Sequence, residues 1–162
     1  MPGPAGRFSS FVPGTSPAGA AVPAPSHWFA FRDGKILVAR DGLSVRSPVE
    51  VPLVADLAAL GLHPRRAHFL GTTGEGAACW AAEIRAGEEP APCWSFEVLR
   101  SLFAILGEDL FRVAGRATQI LDWDRTHRFC GSCGAPMVEK PGERVRVCPA
   151  CGHENYPRIS PA

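Results

Sequence analysis

The sequence predicts an α+β domain followed by a small cysteine-stapled ribbon, and three observations carry that prediction. Pairs of apolar runs flank turn residues at Arg32-Asp33-Gly34-Lys35 and across Thr72–Gly76. Two later segments, Ser95–Leu106 and Glu108–Trp123, space their apolar residues at helical intervals. Four cysteines then follow as Cys130-Gly-Ser-Cys133 and Cys148-Pro-Ala-Cys151.

The first 26 residues are rich in Pro, Gly and Ala. They are expected to form a disordered leader, because such a composition cannot bury enough surface to order itself. Order is expected from His27. Phe29-Ala30-Phe31 and Ile36-Leu37-Val38 should pair as a hairpin, since Asp-Gly supplies the positive-φ turn. Val54–Leu60 is expected to be a short helix closed by Gly61. His68–Gly71 and Ala77–Ile84 read as a second hairpin. Ser95 is placed to cap a helix burying Phe96, Leu99, Leu102, Phe103 and Leu106, which Gly107 breaks. A second helix, Glu108–Trp123, carries Leu110, Val113, Ala114, Ala117, Ile120 and Leu121 on one stripe. Trp123 should cover the end of that core where the ribbon joins. The expected division is a leader over 1–26, an α+β domain over 27–124, a ribbon over 125–156, and a linker or strand start over 157–162.

The cysteines specify chemistry most tightly. Each C-x2-C turn aims two thiolates at one point, so Cys130, Cys133, Cys148 and Cys151 together make a tetrahedral site. Gly131, Gly134 and Gly152 are expected to supply the positive φ that folds the backbone under the metal. The fourteen-residue spacer is slightly under the usual window of about 15 to 20, yet a hairpin fits in it. Zinc is the expected ion, iron in a rubredoxin-like site the competitor. Two disulfides would need an oxidising compartment, for which the chain offers no signal. A site closed by four thiolates has no position for water or substrate, so the metal holds the fold and does no Lewis-acid chemistry.

Composition adds bounds. Lys plus Arg total 17 against 16 Asp plus Glu, which gives no sign of a nucleic-acid or membrane surface. From Arg125 onward six basic residues face three acidic ones, an excess that four thiolates on a dication largely cancel. Arg144 and Arg146 are read as a hairpin face balancing that cluster. No apolar run approaches the roughly 20 residues needed to span a bilayer, and no signal-peptide pattern opens the chain. Reduced metal-binding thiols point to the cytoplasm. Cys79 and Cys93 are expected to be buried and inert. His63, His68 and His127 stand singly, Glu88-Glu89 reads as solvated charge, and His153 follows a shell already filled by four thiols. No catalytic constellation stands out.

Ala117-Thr-Gln-Ile-Leu121-Asp-Trp123-Asp-Arg-Thr-His127-Arg-Phe129-Cys130-Gly-Ser-Cys133-Gly134 resembles the helix-to-ribbon junction of NADH pyrophosphatases. These are a zinc-containing subgroup of Nudix hydrolases that also remove NAD caps from RNA. The tail from Cys148 through Tyr156-Pro-Arg-Ile159-Ser-Pro-Ala162 is similar to the stretch leading into that family's catalytic domain. Leu60-Gly-Leu, His68-Phe-Leu-Gly71 and Trp80-Ala-Ala are similar to its degenerate, Nudix-like N-terminal domain.

The resemblance implies a fold, a metal and a partner state. It implies an N-terminal Nudix-like domain, a structural Zn2+ on the four cysteines, a homodimer, and Tyr156 reaching a bound NAD(H) or NAD-capped RNA. Family chemistry uses a glutamate-rich box that holds Mg2+ or Mn2+ against the pyrophosphate. The sequence contains no Arg-Glu-x-x-Glu-Glu core of that box. The chain is therefore expected to be the accessory portion of such an enzyme, with the catalytic Nudix domain absent and no hydrolysis by itself. The competing expectation is a free-standing zinc ribbon that binds RNA or a protein partner.

Overall fold

The structure is a computed structural model and describes residues 7–17, 24–39 and 49–160. A seven-stranded mixed sheet forms its centre. Its strands are β1 (Val12–Pro13), β2 (Ser26–Arg32), β3 (Lys35–Ala39), β4 (Leu53–Val54), β5 (Pro64–Thr72), β6 (Ala78–Ile84) and β7 (Trp94–Val98). Their order is β1-β5-β6-β2-β3-β7, with β4 beside β2. Only the β2–β6 pairing is parallel, with Trp28 opposite Trp80 and Ala30 opposite Ala82; the other pairings in this sheet are antiparallel.

Both expected hairpins form. Asp33 (φ 50°) and Gly34 (φ 75°) turn β2 into β3, as a two-residue loop matched to strand twist requires. Asp56 caps a 3-10 turn, Leu57–Leu60, by accepting the Ala58 N–H, and Gly61 closes it at φ 75°.

Alternation along the strands sends side chains to two cores. On one face Phe29, Phe31, Ile36, Val38, Leu70 and Cys79 pack under the helix α2 (Glu108–Thr126) through Leu110, Val113, Ala114, Ala117 and Ile120. On the other face Ala30, Leu37, Ala82 and Ile84 meet Leu57 and Leu60 of the 3-10 turn and Leu62 just beyond it. Glu108 and Asp109 open α2 and Arg125 closes it, in the sense its dipole favours. Among the described residues no helix is long and apolar enough to cross a membrane.

Three departures from the sequence expectations fall within the domain: at Ser95, in the N-terminal segment and at Cys93. Ser95 caps no helix: Trp94–Val98 is the edge strand β7, with Phe96 opposite Leu37 of β3, and the Ser95 hydroxyl bonds Glu97. The chain then runs through a 3-10 turn, Leu99–Leu102, into the single turn α1 (Phe103–Leu106) before Gly107. Long-range pairing to β3 outcompeted the local helical stripe.

Residues 7–17, within the span read as leader, pack against the domain. Phe8 is buried against Phe29 and His27, and β1 adds an edge strand to β5. The remaining leader positions, 1–6 and 18–23, lie outside the described residues. Gly71 permits the docking of β1: its φ is 144°, and a Cβ there would sit 2.0 Å from the Val12 carbonyl. The third departure is Cys93, which is exposed and holds φ 73°, whereas Cys79 is buried and its thiol is pushed up to about 12 by that burial.

The ribbon is a three-stranded antiparallel sheet, β10-β9-β8, built from β8 (Val138–Glu139), β9 (Arg146–Val147) and β10 (Glu154–Asn155). Its apolar centre is small, Met137 and Ala135 beside Cys130 and Cys148, with Val145 buried apart from them. So little buried surface does not offset the entropy of ordering the segment.

Candidate metal centre

Two equivalent knuckles build the site. In the first, the Cys130 N–H donates to the Ala135 carbonyl at 2.8 Å and the Gly134 N–H to the Cys130 carbonyl at 2.8 Å. In the second, Cys148 donates to the His153 carbonyl at 2.8 Å and Gly152 to the Cys148 carbonyl at 2.9 Å. Gly134 (φ 76°) and Gly152 (φ 74°) take the left-handed turn in corresponding places. Gly131 does not, so its expected positive φ is corrected: one left-handed residue per knuckle suffices to turn the chain. His153 contributes its carbonyl to the knuckle and does not join the sulfur cluster.

The turns bring all four sulfurs within 4.8 Å of one another. Cys130 Sγ lies 3.6 Å from Cys151 Sγ, and Cys133 Sγ lies 3.4 Å from Cys148 Sγ. Four sulfurs about 2.3 Å from one central ion would stand about 3.8 Å apart, so the cluster fits a tetrahedral metal. All six cysteines are free, so the cluster is no pair of disulfides.

Its electrostatics call for a cation. Backbone N–H groups of Cys133 and Ser132 bring the Cys130 thiol down to about 6. At Cys151 the His153 N–H pulls downward, but the neighbouring thiols outweigh it and push the group up to about 12. The four thiols thus resist full ionisation together, and a dication removes that conflict. Among the described residues no second cluster of three or more Cys, His, Asp or Glu side chains converges on one point.

The profile of the NADH pyrophosphatase zinc ribbon domain matches residues 125–156. That of the NADH pyrophosphatase-like rudimentary NUDIX domain matches residues 25–123, more than half of the chain. The chain belongs to the NADH pyrophosphatase family. A NAD-capped RNA hydrolase NudC of Stutzerimonas stutzeri is 40% identical over 134 residues, covering 83% of this chain and 43% of that protein. Its counterpart in Deinococcus radiodurans is 47% identical over 76 residues, 47% of this chain and 27% of the relative. In Pseudomonas fluorescens the figures are 34% over 146 residues, 90% and 47%. The chain thus spans less than half the length of these relatives.

In this chain the ribbon is docked by polar contacts that the sequence reading did not anticipate. Asp124, 1% exposed on the last turns of α2, accepts from Arg66 at 2.6 Å and from Arg146, while His68 Nε2 lies 3.5 Å away. Burial opposes its ionisation, but His68 close by and the bonds from Arg146 and Arg66 prevail and hold the carboxyl well below the usual range. Arg144 donates to the carbonyls of Gly14 and Phe69. Arg144 and Arg146 are therefore interdomain ties, a correction to their reading as a balance for the thiolates. One signal was available. Asp124 falls four residues after Ile120 on the apolar stripe, and an acid there demands a partner.

Trp123 sits at the junction, as its position implied. Its indole N–H donates to Asn155 Oδ1 at 2.8 Å, and the Arg146 guanidinium lies 5.8 Å from its ring centre. The next residue after Asn155 is Tyr156, 52% exposed, whose hydroxyl donates to Glu154 at 3.2 Å or Glu143 at 3.4 Å. Tyr156 walls an open cleft of about 440 Å³ with Trp123, His127, Gln119 and Arg158. Beyond it, Gln119 clamps Ser160 by accepting its N–H at 2.8 Å and donating to its carbonyl at 3.2 Å. The Tyr156 ring is thereby presented to solvent between two fixed points, the zinc-ribbon knuckle and the α2 clamp.

Proposed function

We propose that this chain is the substrate-positioning half of an enzyme that splits the pyrophosphate of NAD(H), free or as the cap of an RNA. Cys130, Cys133, Cys148 and Cys151 hold one structural Zn2+ per chain. Tyr156 stacks on a base of the substrate. The catalytic glutamates and their Mg2+ or Mn2+ belong to the rest of the whole protein, which works as a homodimer in the reducing cytoplasm. The observation that carries this reading is an exposed aromatic plane on the wall of an open cleft, one residue beyond the strand that follows the second cysteine knuckle. An aromatic face suits any base, and such stacking is worth about 1–3 kcal/mol.

A free-standing ribbon for RNA or protein has one observation in its favour, Phe129 at 66% exposure. Against an RNA face, Lys140 is paired with Glu143 and Glu154, and Arg146 with Asp124 and Glu139.

Titration of the purified chain with NAD tests the reading. Tyr156→Ala is expected to weaken binding by roughly tenfold and Tyr156→Phe by less than about twofold, as stacking requires. Equal affinity in the alanine variant would leave Tyr156 a packing residue. With NADH and Mg2+ or Mn2+ the chain is expected to release no AMP above background. Metal-dependent release at enzyme-like rates would contradict the assignment of the chemistry to the rest of the protein.

A further inference from the structure

The docking of the ribbon is polar and directional. Its own apolar centre is separate from both cores of the domain. The ribbon itself is tied by Asp124 between Arg66 of β5 and Arg146 of β9, the Trp123–Asn155 bond, and the Arg144 bonds to backbone carbonyls, while beyond Tyr156 Ile159 packs on the main core and Gln119 holds Ser160. Apolar contact tolerates sliding and rotation, whereas charge-assisted bonds with a buried acceptor fix both distance and angle.

These ties lead to one place. Arg146 pairs across the ribbon with Asn155, and Asn155 precedes Tyr156. Asp124 therefore reaches the exposed ring in three steps: guanidinium, cross-strand pair, peptide bond. Trp123, adjacent to Asp124 on α2, grips the same Asn155 from the helix side.

We propose that Asp124, through Arg146 and Asn155, is a positioning residue that sets where Tyr156 meets the substrate base. The inference rests on the reading of Tyr156 as a stacking residue. Neutralising Asp124 leaves the Arg66 and Arg146 guanidiniums facing each other across a buried amide. Arg146 then turns to Glu139, which is exposed and already 3.3 Å away. That movement draws β9 and its partner Asn155 off the helix.

Tyr156 is the only tyrosine in the chain, so fluorotyrosine labelling yields a single fluorine resonance from this ring. Asp124→Asn is expected to shift and broaden that line and to weaken NAD binding at least fivefold, while native mass spectrometry still finds one zinc and circular dichroism an intact sheet. Arg146→Lys, which keeps the charge and loses the fork, is expected to move the line the same way by a smaller amount. An unmoved line in both variants overturns the proposal. So does a moved line with NAD affinity unchanged, because the ring would then have shifted without consequence for the ligand. If NAD leaves the line of the unsubstituted chain undisturbed, the stacking reading falls. The response of the free chain to the two substitutions then still decides whether Asp124 places Tyr156. Should Asp124→Asn lose its zinc or its fold, the Arg146→Lys line and affinity decide alone.

Discussion

Replacing Cys148 by serine is expected to strip the metal from the chain and unfold residues 130–155 while the sheet and α2 remain folded. Cys148 is almost fully buried, and its N–H and carbonyl both serve the second knuckle. A serine hydroxyl is not ionised at neutral pH and is a poor fourth ligand for a borderline-soft ion. The apolar centre that would be left, Met137 with Ala135 and Cys130, is too small to sustain three two-residue strands. Metal binding in such modules contributes about 10–16 kcal/mol to folding, far above any single side-chain contact. Hydrogen exchange reads the result: protection of the Cys130, Gly134, Met137, Cys148 and Gly152 amides should vanish while that of α2 persists. The Trp123 indole, released from Asn155, should shift its emission to the red. Retained protection in the ribbon would mean that the protein atoms alone hold it.

The second large effect lies in the sheet. Phe29→Ala is expected to cost about 3–5 kcal/mol, the range for emptying a buried aromatic site. Phe29 is fully buried in β2, the strand that pairs with β3, β4 and β6, and meets Phe8 edge-to-face with ring centres 5.8 Å apart. The site has little freedom to collapse, because strands on both sides and α2 above hold its walls. A thermal melt should drop by roughly 10 °C or more. Zinc content per folded chain should stay at one, which separates this effect from the cysteine substitution. A loss under about 1 kcal/mol would place Phe29 outside the main core.

Local signals were the legible part of this chain. Asp33-Gly34 fixed the first hairpin because positive φ at two successive residues is a property of those residues themselves. The cysteine pairs announced the metal centre for the same reason: each C-x2-C-G run specifies its own turn. What escaped depended on partners far away in sequence. Phe96, Leu99, Leu102, Phe103 and Leu106 fit a helical stripe, yet Leu37 and its neighbours in β3 offered Phe96 a strand to pair with. Phe8 and Val12 were hidden among prolines and glycines, whose composition says nothing of the edge that β5 leaves open to them. Arg144 and Arg146 looked like counter-charges to the thiolates because the cluster is near in sequence, while Asp124 and the Phe69 carbonyl are near only in space.

Native mass spectrometry of the chain made under reducing conditions puts the staple itself to the test. A mass excess of one zinc ion, lost together with ribbon protection on chelation, is what four converging sulfurs require. A metal-free chain whose knuckles stay protected would contradict it, and Tyr156 would then owe its place to something other than a bound ion.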